Sequence, residues 1–322
     1  MTRVAVLDDW QRIAAASADW AALEARAEVV FFEEPFADED DAAARLADFD
    51  VLMVMRERTP FPASLVRRLR KLQLFGLTGS RAGLIDMKAL AAQGVTICTT
   101  EGGGSGAGTA EIALGLMLAA ARRIPAADAA MRGGGFQTGV PLGFELAGKT
   151  LGLLGLGRLG QLVARYGRAL GMEVVAWSQN LTEEAARAGG AAWVPKEELL
   201  ARADVVSLHL VLSDRTRGIV GMAELARMKH GAILVNTSRG PLVDEAALIA
   251  AVQAGRIVAA LDVYDREPLA PDHPFRSLPN TVLTPHLGYG TAEVYRDFFR
   301  QGIENVLAFL DGTPIRVLEV GR

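Results

Sequence analysis

The chain has a single cysteine, Cys98, among 322 residues, so an internal disulfide is impossible, and the apolar run VTIC around it predicts a small buried side chain. Histidine is scarce too, with four in all. No stretch approaches the roughly 18 consecutive apolar residues of a membrane-spanning helix. The opening MTRVAVLDDW has neither the apolar core nor the cleavage region of a signal peptide, and a cytoplasmic, reducing setting is expected. Neither sign of charge dominates. With 34 basic against 38 acidic residues and a net charge of -4, no global field favours nucleic acid or an anionic membrane, which points to a small-molecule partner. Internal repeats, low-complexity tracts and metal-ligand spacings are absent from the reading.

Half of the residues are apolar, enough for two packed cores. Short apolar runs (VAVL, VVFF, VLMVM, LQLFGL, VTIC) alternate with helical stretches, including an Ala-rich one near Trp10 to Arg26, one after Asp38 and one across Leu65 to Arg70. Strands of four to six residues separated by helices imply crossover connections and a parallel α/β sheet covered on both faces. The basic cluster RRLRK, residues 67 to 71, shares its helix with Leu65, Leu69 and Leu72 and reads as a solvated face. Five glycines between 102 and 108 then precede a long helix beginning near Thr109, and a domain boundary falls there. These glycines fit either a hinge or a tight backbone approach to a ligand. A second α/β series follows from Thr150, and IRVL after the last helix, roughly Ala292 to Leu310, is placed as an edge strand returning to the first domain. The expected division is 1–102 with 291–322, and 103–290.

LGLLGLGRLGQLVARYG carries Gly155, Gly157 and Gly160 in GxGxxG spacing, after an apolar strand and at the opening of an amphipathic helix. The first glycine permits the tight turn, the second lets the backbone approach a pyrophosphate, and the third packs helix on strand. The helix amino terminus adds unpaired N–H groups and partial positive charge. The next strand ends in Ser178, Gln179 and Asn180, where an NAD site would carry an acid for the ribose hydroxyl. No carboxylate repels a 2′-phosphate there and no local arginine grips one, so NADP or NAD fits, with the balance toward NADP.

Three later strands end in Arg239 (NTSRGP), Glu267 (LDVYDREPL) and His286 (LTPHLGY). Each alone is ordinary: a surface arginine, a solvated glutamate, a structural histidine. Together on the carboxyl rim of a dinucleotide-binding sheet they match what carbonyl reduction needs, a proton donor for oxygen and a cation nearby.

With TGSRAGLIDMKAL, GTAEIALGLMLAAAR, LAGKTLGLLGLGRLG, DVVSLHLVLSDRTRGIVG and LVNTSRGPLVDEAAL, these motifs run through nearly the whole chain. It resembles the D-isomer-specific 2-hydroxyacid dehydrogenases, a family that includes phosphoglycerate dehydrogenases, glyoxylate and hydroxypyruvate reductases and formate dehydrogenases. The resemblance implies a Rossmann-type doubly wound parallel sheet domain inserted in a smaller flavodoxin-like α/β domain, the latter binding substrate, with the first long helix helping to form a homodimer. It also implies that Arg239 holds the substrate carboxylate, that His286 is the proton donor and that Glu267 pairs with it, a carboxylate beside imidazole favouring the protonated form. Backbone N–H groups of Ser80 and Arg81 would hold the same carboxylate. Arg81 departs from the usual small residue and either adds a second cation or reaches solvent. Thr109, Arg158, Leu159, His209, Thr237 and Gly288 would line the cofactor, with Asp262 bonding the nicotinamide carboxamide. His209 also fits a satisfied core histidine, while His230 and His273 read as surface residues. The leading expectation is an NAD(P)-dependent reductase of small 2-oxo acids to D-2-hydroxy acids. An NAD(H)-sensing, corepressor-like binding protein and an oxidoreductase for a non-acid substrate are the alternatives.

Overall fold

The computed structural model describes residues 1–56, 58–79, 83–101 and 106–320. The chain divides into two compact units, Met1–Gly104 with Thr291–Arg322, and Ser105–Gly290.

In the first unit, among the described residues, five strands form one parallel sheet: β1 (Thr2–Val6), β2 (Ala27–Phe31), β3 (Val51–Val54), β4 (Leu74–Leu77) and β5 (Thr96–Thr99). Their order, β2-β1-β3-β4-β5, is the flavodoxin-like doubly wound order. Leu65, Leu69 and Leu72 are buried, while Arg68 and Lys71 pair at the surface with Asp40 and Asp48, so the basic cluster is a solvated face. Two helices are shorter than the sequence pattern predicts. The Ala-rich stretch breaks into Ala14–Ser17 and Ala21–Glu24, because Ala18 is extended and the Asp19 carboxylate accepts from Ala21 N, a local bond that competes with the helix. The helix expected across Leu65 to Arg70 is a single turn, Ala63–Val66, after which Arg68 N bonds Leu65 O and Leu69 N bonds Val66 O in a tighter spiral. The IRVL segment forms no named strand. It runs antiparallel beside β5 through one bridge, Cys98 to Val317, flanked by Thr99 N to Arg316 O and Leu318 N to Ile97 O. Cys98 is a free, buried thiol.

The second unit carries, among the described residues, seven parallel strands: β6 (Thr150–Leu154), β7 (Glu173–Trp177), β8 (Ala192–Trp193), β9 (Val205–Leu208), β10 (Ala232–Asn236), β11 (Ile257–Leu261) and β12 (Thr281–Leu283). The order β12-β11-β10-β9-β6-β7-β8 reverses direction at β6, as in a Rossmann sheet. Both faces are covered, which is why β11 is apolar throughout and β10 is apolar up to its last residue, Asn236: Ile233, Val235, Val258 and Ala260 join one core, and Leu234, Ala259 and Leu261 the opposite one. Gly106, with φ +78°, caps the helix Ala107–Ala121, which starts two residues before the expected point.

At the carboxyl end of β1, Asp8 is 2 % exposed and left-handed, with φ +64°. Its Oδ1 accepts from Thr59 Oγ1 at 2.6 Å, and its Oδ2 is buried without a partner. Burial pushes the carboxyl up from the usual 3.8 to about 6. Between those values the unfolded chain ionises and the folded one does not, so stability falls as pH rises, by about 1.4 kcal/mol per unit and roughly 3 kcal/mol in full. Asparagine tolerates left-handed backbone. Asp8→Asn is therefore expected to raise Tm at pH 8, the gain fading toward pH 4 in thermal melts; an equal gain at both pH values would contradict the assignment.

Candidate active site

Because all seven strands of the second unit are parallel, their carboxyl ends share one rim, and the segments after β6, β7, β9, β10, β11 and β12 carry the residues singled out above. Gly155, after β6, has φ +104°, and a Cβ there would lie 2.6 Å from His209 O. Gly160 is equally constrained, since its Cβ would meet Gly155 O at 2.3 Å. Gly157 differs. As N-cap of the helix Arg158–Ala169 it has φ -74°, with nothing within 4 Å of a would-be Cβ, so no packing inside the chain demands glycine there. An open face at the amino end of a helix suits a close-approaching phosphate.

His286 follows β12 and Glu267 follows β11. His286 Nδ1 and Glu267 Oε2 lie 2.6 Å apart, both side chains about one-quarter exposed, so the ring is anchored while solvent and ligand still reach the pair. His286 itself is left-handed, with φ +55°, a conformation that costs on the order of 1 kcal/mol or more in a non-glycine residue. Asp262 holds that segment. Fully buried, it accepts from Thr284 Oγ1 (2.6 Å) and Leu287 N (2.8 Å) through Oδ1, and from Gly288 N (2.8 Å) through Oδ2. Burial raises its pKa from the usual carboxyl value, with these donors opposing the shift. Three bonds leave Oδ2 one more acceptor position for a carboxamide. Thr109 Oγ1 donates to Gly288 O at 2.8 Å, which joins the long helix to the same segment.

Arg239 follows β10, with extended backbone and a half-buried side chain whose Nη1 donates to Ser238 O at 2.6 Å. Sequence reasoning missed the residues that join these loops. Tyr264 N donates to Glu267 Oε1 at 3.0 Å, and its hydroxyl donates to Thr284 O at 3.0 Å. Gly240 lies against that turn so closely that a Cβ would sit 2.1 Å from Tyr264 C. Only the tyrosine between an aspartate and a Glu-Pro pair marked this in the sequence, and its partners are set by strand order.

His209, just past β9, bonds Ser207 Oγ through Nε2 at 2.9 Å, but its buried Nδ1 has no partner among the described residues. Burial lowers its pKa to about 4, keeping the ring neutral. The core-satisfied reading of His209 therefore holds for only one nitrogen. The buried Thr237 hydroxyl also lacks a partner. Open space at Gly157 and two orphaned polar atoms on one rim fit a dinucleotide. Arg158 and Leu159 open the helix, Ser178 is half-buried after β7, and Gln179 and Asn180 are exposed. Ser80 and Arg81 lie outside the described residues. His230 is exposed, whereas His273, expected at the surface, is half-buried because Nε2 meets Glu245 Oε1 at 3.2 Å and Nδ1 accepts from Phe275 N.

Residues 114–288, more than half of the chain, match the family described as D-isomer specific 2-hydroxyacid dehydrogenase, NAD binding domain. A glyoxylate reductase from Aeropyrum pernix is 42% identical over 236 residues, 71% of this chain and 70% of its own length. The chain belongs to the D-isomer-specific 2-hydroxyacid dehydrogenase family. Another member, a D-3-phosphoglycerate dehydrogenase from Archaeoglobus fulgidus, is 38% identical over 265 residues, which are 82% of this chain and 50% of that protein, so the chain spans about half the length of this relative. A crystal structure of a phosphoglycerate oxidoreductase from Vibrio cholerae superposes with a TM-score of 0.91 at 37% identity, over 97% of this chain and 100% of that one. The matched region is the family's NAD-binding domain, which supports a nicotinamide dinucleotide as its cofactor. These findings lend no support to the corepressor-like alternative.

Gly157→Ala is expected to leave Tm within about 2 °C while weakening dinucleotide binding at least tenfold in fluorescence titration, whereas Gly160→Ala lowers Tm outright. An unchanged dinucleotide affinity in folded Gly157→Ala, or a fall in Tm as large as that of Gly160→Ala, would reverse the assignment.

Proposed function

We propose that this chain is an NAD(P)-dependent reductase that interconverts a small 2-oxo acid and its D-2-hydroxy acid. The observation that supports this most is the 2.6 Å contact between His286 and Glu267 on the rim that also carries Arg239 and the glycine loop. A dihydronicotinamide dinucleotide held on this rim would, when bound, supply the hydride for the carbonyl carbon. Arg239 holds the substrate carboxylate, where a planar guanidinium donates to two oxygens at once and stays charged. His286, with Nδ1 on Glu267, presents Nε2 to the carbonyl oxygen and gives it a proton; in oxidation the same nitrogen takes the hydroxyl proton back. Glu267 orients the ring and stabilises the imidazolium. Thr109, His209, Thr237, Asp262 and Gly288 line the cofactor.

The rim beyond β7 offers Ser178 and Gln179 with no carboxylate to repel a 2′-phosphate, so NADPH is used in preference to NADH. Relatives named glyoxylate reductase and hydroxypyruvate reductase support short 2-oxo acids as substrates. The setting is the cytoplasm, in keeping with the single buried thiol at Cys98; among the described residues no helix is long and apolar enough to cross a membrane. The enzyme works as a homodimer. Ile124, Met131, Phe136 and Leu142, each more than half exposed, give the second unit an apolar surface on and after the helix Ile124–Arg132, and light scattering should read twice the chain mass.

In assays of NADPH and NADH oxidation against glyoxylate, hydroxypyruvate, pyruvate and bulkier 2-oxo acids, the short acids should turn over with both cofactors, faster with NADPH. Arg239→Met should lower kcat/KM by several kcal/mol, roughly 100-fold or more. A folded protein silent across the panel, or an Arg239→Met variant with full turnover, would refute the proposal.

A further inference from the structure

Asn236 is the last residue of β10 and 1 % exposed, and its side chain spends both polar ends on two of the three residues that follow. Oδ1 accepts from Ser238 N at 3.1 Å, and Nδ2 donates to Arg239 O at 2.9 Å. No other amino acid of that size offers one acceptor and one donor in this spacing: aspartate has no donor for Arg239 O, and alanine leaves the part-buried Ser238 N–H unanswered and Arg239 O to the 3.3 Å bond from Leu242 N. The loop has two further fixed points. Ser238 Oγ donates to Leu208 O at 2.7 Å, and Gly240 is pressed against the Tyr264 carbonyl. Between those points, the described side chain that grips the main chain of Arg239 is the asparagine amide.

We propose that Asn236 is a positioning residue for Arg239, fixing where the guanidinium leaves the backbone and so the affinity for the substrate carboxylate. This rests on the reading of Arg239 as the carboxylate clamp. An arginine carries four side-chain torsions, so a shift of its backbone by a fraction of an ångström spreads into loss of bidentate geometry at the guanidinium, while the chemistry at His286 and Glu267 is held separately by Asp262 and Tyr264. The effect should fall chiefly on KM for the 2-oxo acid. It should vanish where the guanidinium is already gone.

The test is a double-mutant cycle on the full-length protein with glyoxylate and NADPH, folding being checked by circular dichroism. Asn236→Ala is expected to raise KM for glyoxylate about tenfold or more with a smaller fall in kcat. In an Arg239→Lys background the same change should cost less than threefold in kcat/KM. Asn236→Asp, which keeps the acceptor for Ser238 N and sets a carboxylate oxygen against Arg239 O in place of the donor, should act in the same direction and decides the matter if the alanine variant does not fold. Costs that simply multiply in the double variant, or an unchanged KM in a folded Asn236 variant, would overturn the proposal while leaving Arg239 as the clamp. An Arg239→Lys variant with unaltered KM would instead remove the clamp reading, and this proposal with it.

Discussion

The hydrogen bond between His286 Nδ1 and Glu267 Oε2 connects two segments, after β12 and after β11, that have no local reason to meet, and it fixes which imidazole nitrogen is left for a substrate. With Nδ1 on a carboxylate, Nε2 is the nitrogen that the proposed reaction would use in either direction. Holding it there requires a histidine in left-handed backbone, and the offset comes from the charge-assisted and neutral bonds that Asp262 and Tyr264 make to residues on either side of it. Each such bond contributes about 1 kcal/mol net, enough together to exceed the backbone cost. The surroundings over-determine the position of the ring.

The sheet makes this economical. Strands buried on both faces are built mainly of apolar residues, so polar groups gather at the carboxyl rim, where β10, β11 and β12 lie side by side and deliver Arg239, Asp262 with Glu267, and His286. Adjacent parallel strands are about 4.8 Å apart, so side chains from neighbouring strand ends fall within reach of one substrate-sized volume. The glycine loop after β6 sits at the point where strand order reverses, the place such sheets reserve for a ligand.

What the sequence disclosed was whatever is encoded locally. Apolar runs bounded by helices announced two parallel sheets, and Gly155, Gly157 and Gly160 declared a dinucleotide loop because their spacing has a geometric cause. Arg239, Glu267 and His286 stood out because charged groups directly after apolar strands are conspicuous. Roles set by strand order were hidden. That Asp262 binds the backbone around His286 depends on β11 lying beside β12, and that Gly240 touches Tyr264 depends on β10 lying beside β11. Side-chain competition was hidden too: Asp19 interrupts the Ala-rich stretch, and Glu245 draws His273 out of solvent. Loss of periodicity signals neither.

The central claim is that Arg239 and the His286–Glu267 pair act on one small 2-oxo acid. A crystal structure with NADPH and oxamate, a non-reducible analogue of pyruvate, tests it most directly. The account predicts the oxamate carboxylate on the Arg239 guanidinium and the amide oxygen within hydrogen-bond distance of His286 Nε2, with Nδ1 still on Glu267. Oxamate bound away from Arg239, or a His286 ring turned off Glu267 in that complex, would contradict it.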